Sequence, residues 1–150
     1  MINQKSVGFI IFRRHPKEGV QYLVLYHRGS YWNFPKGKME EGESELETGL
    51  RELYEEAGLK NIKVIEGFRE QTEFMFRETH HGGNDLIKKN FVIYLAEAPY
   101  GIEPKISSEH NGYGWFDLAT AQKLVRFKQP KEILTEADVL IKTGTGKENR

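Results

Sequence analysis

The stretch Gly37 to Leu59, GKMEEGESELETGLRELYEEAGL, decides the reading of this chain, and its acidic centre is Arg51-Glu52-Leu53-Tyr54-Glu55-Glu56. On a helix, side chains three and four positions apart share a face. Glu52 then meets Glu55 and Glu56, while Leu46, Leu50, Leu53 and Ala57 form an apolar stripe. The spacing predicts a helix with leucines turned inward and carboxylates turned outward. Ser44 and Glu47 make a capping box at its start, and Gly58 fits the left-handed residue that ends a helix. Gly37 suits a loop whose backbone comes close to an ion. Gly49 stands inside the helix, where it costs roughly 1 kcal/mol of propensity relative to alanine; close packing is one reason to keep it.

Carboxylates within one turn repel each other, by a few tenths of a kcal/mol per pair on an isolated helix, and a cation relieves that repulsion. Hard divalent ions such as Mg²⁺ take oxygen ligands, keep several waters and are held by a few carboxylates together with substrate phosphates. A glutamate-rich helix face taken alone is most often merely solvated. The residues around it give this one a different meaning.

Gly37, Glu43, Arg51-Glu52, Glu55-Glu56, Gly58 and the aliphatic Leu59 match without a gap the pattern G-x5-E-x7-R-E-U-x-E-E-x-G-U, where U is aliphatic. That is the signature of the Nudix hydrolases, and the chain resembles that family. The resemblance implies that Arg51 and Glu43 pair to hold the loop against the helix, with Gly58 closing it. It also implies that Glu52, Glu55 and Glu56 face a metal ion, aided by Glu109 and the Gly37 carbonyl. Mg²⁺ is the expected ion and Mn²⁺ an alternative.

The remainder of the chain bounds the reading. At 150 residues with 38% hydrophobic content, one domain with an ordinary core is expected over residues 1–142, followed by a mobile tail over 143–150. Lys plus Arg and Asp plus Glu are 22 each, so net charge offers no argument for a nucleic-acid or membrane partner, and phosphate recognition has to be local. Cysteine is absent, which removes disulfides, thiolate zinc sites and cysteine nucleophiles together. The N-terminal apolar run is shorter than a signal peptide requires and nothing approaches membrane-spanning length, so a soluble, cytoplasmic protein is expected.

Val7 to Phe12 and Tyr22 to His27 read as a hairpin of strands, and Ile62 to Phe76 as one long or bent strand. Asn90 to Ala96 is a further strand across a turn at the HHGGND segment, and Tyr113 to Phe116 another. Leu118 to Val125 and Pro130 to Ile141 carry helical spacing, with Pro130 in a first turn. This order gives an α+β fold with a mixed sheet between helices. It agrees with the α/β/α sandwich that the family resemblance implies.

Outside the signature, several segments look like the asymmetrically cleaving diadenosine tetraphosphate hydrolases over roughly residues 5 to 140. They are Tyr31-Trp-Asn-Phe-Pro-Lys-Gly37, Ile65-Glu-Gly-Phe68, Phe91 to Glu97, Ser108-Glu-His110, Tyr113-Gly-Trp115 and Arg126-Phe-Lys128. This second resemblance implies that Lys36 and Lys89 contact the polyphosphate, Tyr113 lies by the phosphates, and Phe127 stacks on adenine. Phe74 stands where relatives carry a tyrosine near the base, so a ring remains and a hydroxyl is lost. His27 lies near a histidine that some relatives use on phosphate. The implied reaction is hydrolysis of a dinucleoside polyphosphate to ATP and AMP, with a carboxylate among Glu52, Glu55, Glu56 and Glu109 taking the proton. Two alternatives stay open: an RNA 5′-end pyrophosphohydrolase, and a non-catalytic nucleotide-binding regulator on the same scaffold. The complete Arg51-Glu52-x-x-Glu55-Glu56 set argues against the regulator.

Overall fold

A computed structural model describes residues 1–27, 31–80 and 82–144. In chain order the elements are β1 (Ile2–His15), β2 (Gly19–His27), β3 (Trp32–Asn33), β4 (Lys36–Lys38), α1 (Glu45–Ala57) and β5 (Lys63–His80). They continue with β6 (Gly83–Glu97), β7 (His110–Phe116), α2 (Leu118–Leu124) and α3 (Lys128–Thr143). The seven strands make one mixed sheet with the path β3-β2-β1-β6-β5, to which β4 adds on β1 and β7 on β2.

Strand β1 organises that sheet. One of its edges runs parallel to β6 from Ile2↔Ile87 to Phe12↔Glu97. Its other edge is divided, with Ser6–Gly8 taking β4 and Phe12–His15 taking β2, both antiparallel. The continuous apolar run in β1 follows from cover on both faces. Ile10 and Phe12 join Tyr22 and Val24 in a core closed by Ala121, Val125, Leu134 and Ala137 of the α2–α3 segment. Phe9 and Ile11 alternate with them and join Leu23 and Leu25 beneath Leu53 and Ala57 of α1. A period-two strand thus feeds two cores, which makes the molecule a helix–sheet–helix sandwich. The Tyr22 hydroxyl donates to the buried Asp138 carboxylate and anchors α3 to the sheet through its own polar contact.

Helix α1 differs from the expected stripe. Leu53 and Ala57 are buried, but Leu46 and Leu50 are each 37% exposed. The face against the sheet is Thr48, Gly49, Leu53, Glu56 and Ala57. Gly49 explains the rotation: a Cβ there would sit 2.8 Å from Phe9 Cε2 and 3.2 Å from Val7 Cγ1. The helix approaches β1 at the one position that has no side chain, which turns the leucines on either side outward.

Strands β5 and β6 form a long hairpin, bent where the register shifts between Val64 and Arg69 beside Gly67 (φ 84°). The expected turn lies between His80 and Gly83, and its residue His81 is outside the described residues. Strands β3 and β4 carry too few residues to show any periodicity and were not expected. At the C-terminus, Thr143 is the last residue of α3 and Gly144 caps it at φ 68°, so the expected tail loses its first two positions to the helix; residues 145–150 lie outside the described residues.

On an exposed helix, Gly→Ala adds about 1 kcal/mol. Gly49→Ala is expected to lower the denaturation midpoint instead, because overpacking a closed core costs about 1–3 kcal/mol. Urea unfolding followed by circular dichroism checks this, and a raised midpoint would show that Phe9 has room to yield.

Candidate active site

The site begins with the capping of α1. Ser44 Oγ accepts from Glu47 N (3.1 Å) and Glu47 Oε1 accepts from Ser44 N (2.9 Å), while Gly58 ends the helix at φ 67°. Upstream, Arg51 ties down the loop. Its Nε donates to Glu43 Oε2 (2.6 Å) and its Nη2 to the Lys38 carbonyl (3.0 Å). Glu43 also accepts from Thr48 Oγ1 and from Glu40 N, both at 2.9 Å. The Arg51 guanidinium holds the Glu43 carboxyl down to a pKa of about 2.

Arg51 reaches the acidic face as well, donating to Glu52 Oε1 (2.9 Å) and Glu55 Oε2 (3.2 Å). The three carboxylates therefore have unequal surroundings. Glu55 is exposed, the Glu52 side chain is mostly covered and Glu56 is only 6% exposed. Glu56 thus departs from the outward direction expected of the face. It points beneath β4, where its Oε1 accepts from Lys36 N (3.0 Å). Burial pushes its pKa to about 8, with the charges of Glu52 and Glu109 adding to the rise. Burial likewise raises Glu52, against the opposing pull of Arg51.

Gly37 has a steric role. A Cβ on it would stand 2.0 Å from the Glu52 carboxyl carbon, so the carboxylate lies flat on the Cα of β4. The sequence reading assigned Gly37 to the approach of an ion; the structure adds contact with Glu52. Glu109 lies at the start of β7's approach, exposed, and close enough to raise the pKa values of both Glu52 and Glu56.

Two histidines stand behind Glu56. His110 is buried, its Nε2 3.9 Å from Glu56 Oε1 and its Nδ1 3.1 Å from Ser107 Oγ. Burial lowers its pKa, so that contact is no ion pair. The His27 ring meets it edge-on at 4.4 Å and stacks on Tyr31 at 4.7 Å. Burial and the nearby His110 and Lys36 lower His27 to about 4, which leaves it neutral at physiological pH. The Nε2 atoms of both rings are buried without a hydrogen-bond partner among the described residues.

Beside these groups opens a cavity of about 630 Å³. Lys36 and Lys89 enter it as cations, and the rings of Phe74, Phe76, Phe91 and Phe127 supply its walls. Desolvation lowers the pKa of Lys36, as does the charge of Lys89, whereas Glu56 and Glu52 oppose that shift. Lys36 joins the two regions, its backbone on Glu56 and its ammonium 6.0 Å from the Phe91 ring centre. The segment linking α2 to α3 supplies the outer wall through Phe127, and the β5–β6 hairpin supplies the facing one through Phe74 and Phe76.

Residues 3–137 match the NUDIX domain. The chain belongs to the Nudix family. The asymmetrical bis(5′-nucleosyl)-tetraphosphatase of Mus musculus is 36% identical over 142 residues, covering 88% of this chain and 91% of its own. An RNA pyrophosphohydrolase of Bartonella henselae is 35% identical over 142 residues, covering 81% of this chain and 80% of its own. Among solved structures, a binary complex of the C. elegans Ap4A hydrolase shares the fold with a TM-score of 0.80 at 22% identity, covering 93% of this chain and 98% of that one.

Nudix hydrolases use divalent metal ions, and the donors here suit one. Glu56 is a buried carboxylate whose protein partner is a neutral N–H, with a second carboxylate beside it and a third within electrostatic reach. Among the described residues, no three His, Asp or Glu side chains already converge as a ligand set. The other two carboxylates of the region, Glu55 and Glu109, are exposed.

The structure places Lys36, Phe74, Lys89 and Phe127 around one cavity, with His27 behind Tyr31 at its edge. It does not bring Tyr113 there: that hydroxyl donates to Glu103 Oε2 (3.1 Å), and the ring packs against the core under α1. Sequence reasoning gave no role to His110, Tyr31, Phe76 or Phe91. The Ser108-Glu109-His110 run carried a signal for the first, and the aromatic alternation of Phe74 and Phe76 for the third.

The Glu56 pKa of about 8 exceeds its ordinary value of 4.5, so the metal-free folded state holds a proton that the unfolded chain releases between those values. Stability attributable to Glu56 therefore falls as pH rises through that window and stays low above it. The melting temperature of metal-free Glu56→Gln, relative to wild type, is expected to gain several degrees between about pH 5 and pH 8. His27 acts in the opposite sense between about 4 and its ordinary 6.5, is common to both proteins, and cancels in the difference. A pH-independent difference would show that Glu56 is ordinarily solvated.

Proposed function

We propose that this chain hydrolyses a dinucleoside polyphosphate, with diadenosine tetraphosphate giving ATP and AMP, using a divalent ion for which Mg²⁺ is the expected and Mn²⁺ the alternative choice. The observation that carries this reading is the junction at Lys36, where a buried carboxylate cluster meets a ring-walled cavity lined by Lys36, Lys89 and Lys128. A phosphate chain with a flat base at its end matches that junction: rings stack on the base and ammonium groups meet the phosphates. The similarity to the asymmetrical tetraphosphatase over most of both chains supports the same substrate class.

Glu52 and Glu56, aided by Glu55, Glu109 and the Gly37 carbonyl, are the groups proposed to hold the ion. Once bound, such an ion neutralises phosphoryl charge and makes a neighbouring water more acidic. Water attacks one phosphorus, the new P–O bond forms as the bridging P–O bond breaks, and the water proton passes to one of Glu52, Glu55, Glu56 or Glu109. Lys36 and Lys89 compensate the charge on the departing phosphates. Arg51 holds Glu43 and thereby the loop, and Phe127 and Phe74 flank the base. The cytosol is the setting proposed for this reaction; no helix among the described residues is long and apolar enough to cross a membrane.

A second reading, removal of 5′ phosphates from RNA, rests on the similarity to the Bartonella henselae protein. Incubating the protein with Mg²⁺ and diadenosine tetraphosphate, and in parallel with triphosphorylated RNA, separates the two by products. Equal ATP and AMP with the RNA untouched supports the first; preferential loss of RNA 5′ phosphates replaces it with the second.

Two variants probe the assignments. Glu56→Gln is expected to lower kcat by roughly two or more orders of magnitude, and near-normal turnover removes it from the metal site. Phe127→Ala is expected to raise KM by about tenfold, the value of roughly 1–3 kcal/mol for one base–aromatic stack, with kcat little changed; an unaltered KM makes the ring a wall without a ligand.

A further inference from the structure

Strand β5 ends the sheet path and, among the described residues, pairs only with β6, so its other backbone edge is open. An open edge presents N–H and C=O groups to any strand that comes alongside, and proteins usually blunt it with proline, lysine or a bulge. From Arg69 to His80 this edge has none of the three: the register with β6 is unbroken and the segment contains neither proline nor lysine. Its centre is apolar and in water, with Phe74 45%, Met75 53% and Phe76 40% exposed.

The charges around that centre are arranged for self-pairing. Two copies of one strand related by a two-fold axis normal to the sheet run antiparallel, and opposed side chains share a face, so each register is centred on a residue facing its own copy. Centred on Glu73, that residue opposes itself and Arg69 opposes Arg77; centred on Phe74, Glu70 opposes Glu78. Centred on Phe76, Phe74 opposes Glu78 and Met75 opposes Arg77. Centred on Met75, Glu73 opposes Arg77 and Phe74 opposes Phe76, each on both sides of the axis. Arg77 is exposed and, among the described residues, has no ion pair within its own copy.

The surface beside the edge matches this register. A groove of about 430 Å³ lies between residues 70–73 and α3, and its charged lining is Glu70, Glu73, Glu132 and Glu136. Lys88 and Lys128 approach Glu73 and Glu132 to 3.4 and 3.9 Å, but neither lines the groove. We infer that two copies of this chain pair through their β5 edges, antiparallel and centred on Met75, so that the partner's Arg77 enters the acidic groove opposite Glu73. Phe74 and Phe76 both line the cavity. Each cavity mouth in the pair then carries the partner's Phe76 beside its own Phe74.

The absence of cysteine from the chain makes the register directly testable. In Met75→Cys the two thiols face each other across the axis within disulfide reach, and mild oxidation should give a covalent dimer. Thr79→Cys is the control, because Thr79 opposes Gln71 and its two copies stand roughly 26 Å apart. Sedimentation equilibrium of the unmodified chain should show monomer and dimer in exchange. Arg77→Glu or Glu73→Arg should weaken the dimer on the order of tenfold, since each sets like charges opposite each other at two places. The double reversal Glu73→Arg with Arg77→Glu should recover part of the loss, with circular dichroism unchanged throughout. A monomer at every concentration with no cross-link, a dimer indifferent to both reversals, or equal cross-linking at positions 75 and 79 overturns the inference. So does a monomer whose β5 amide resonances shift when an extended arginine-rich peptide is added, which gives the groove to a different chain.

Discussion

The placement of helix α1 on the sheet depends on two contacts that leave no room for a Cβ, Gly49 against Phe9 and Gly37 against the carboxyl group of Glu52. The first brings the helix axis toward β1; the second lets β4 lie across the helix face. Together they turn Glu56 inward, beneath the Lys36 backbone, instead of leaving it in water with Glu55. A buried carboxylate with a neutral donor and acidic neighbours is an unfavourable arrangement in an empty protein. It is a useful one where a cation is to be held. The stability that close packing supplies at Gly49 supports a site that is electrostatically strained.

Arg51 keeps that strain local. Its guanidinium spans the loop through Glu43 and Lys38 and also touches Glu52 and Glu55, so the outer carboxylates are compensated while Glu56 is not. Lys36 is the matching element on the other side. Its backbone belongs to the carboxylate region and its ammonium to the cavity, and desolvation lowers its pKa. A phosphate placed between would compensate both. The whole chain has no net charge, yet within a few residues of β4 it separates acid from base by one backbone segment.

Much of this was legible beforehand. The capping box and Gly58 follow from local spacing because each involves residues at the ends of one helix, whereas the Arg51–Glu43 pair was legible only through the family resemblance. The apolar runs of β1 and β2 announced a hairpin of strands, and the structure added that helices cover both of their faces. The helix stripe was misread at Leu46 and Leu50, since a leucine count along a helix cannot reveal that Gly49 is the point of closest approach. Tyr113 was expected by the phosphates, but its place in β7 directs the hydroxyl to Glu103 on the α1 side of the sheet.

The sequence by itself determined the family, the order of the longer elements and the placing of Glu52, Glu55 and Glu56 on one helix, because these depend on residue type and short spacing. Tertiary structure alone decided which carboxylate is buried, and that the β5–β6 hairpin and the start of α3 face each other across one cavity. It also decided that His27 stands between His110 and Tyr31, with His110 beside Glu56. These groups come from strands and loops far apart in the chain, and only the pairing of β2 with β7 and the packing of the α2–α3 segment on the sheet bring them together. Side-chain exposure and the local dielectric are properties of that assembly, so the electrostatic differences among otherwise identical glutamates could not be read from their order.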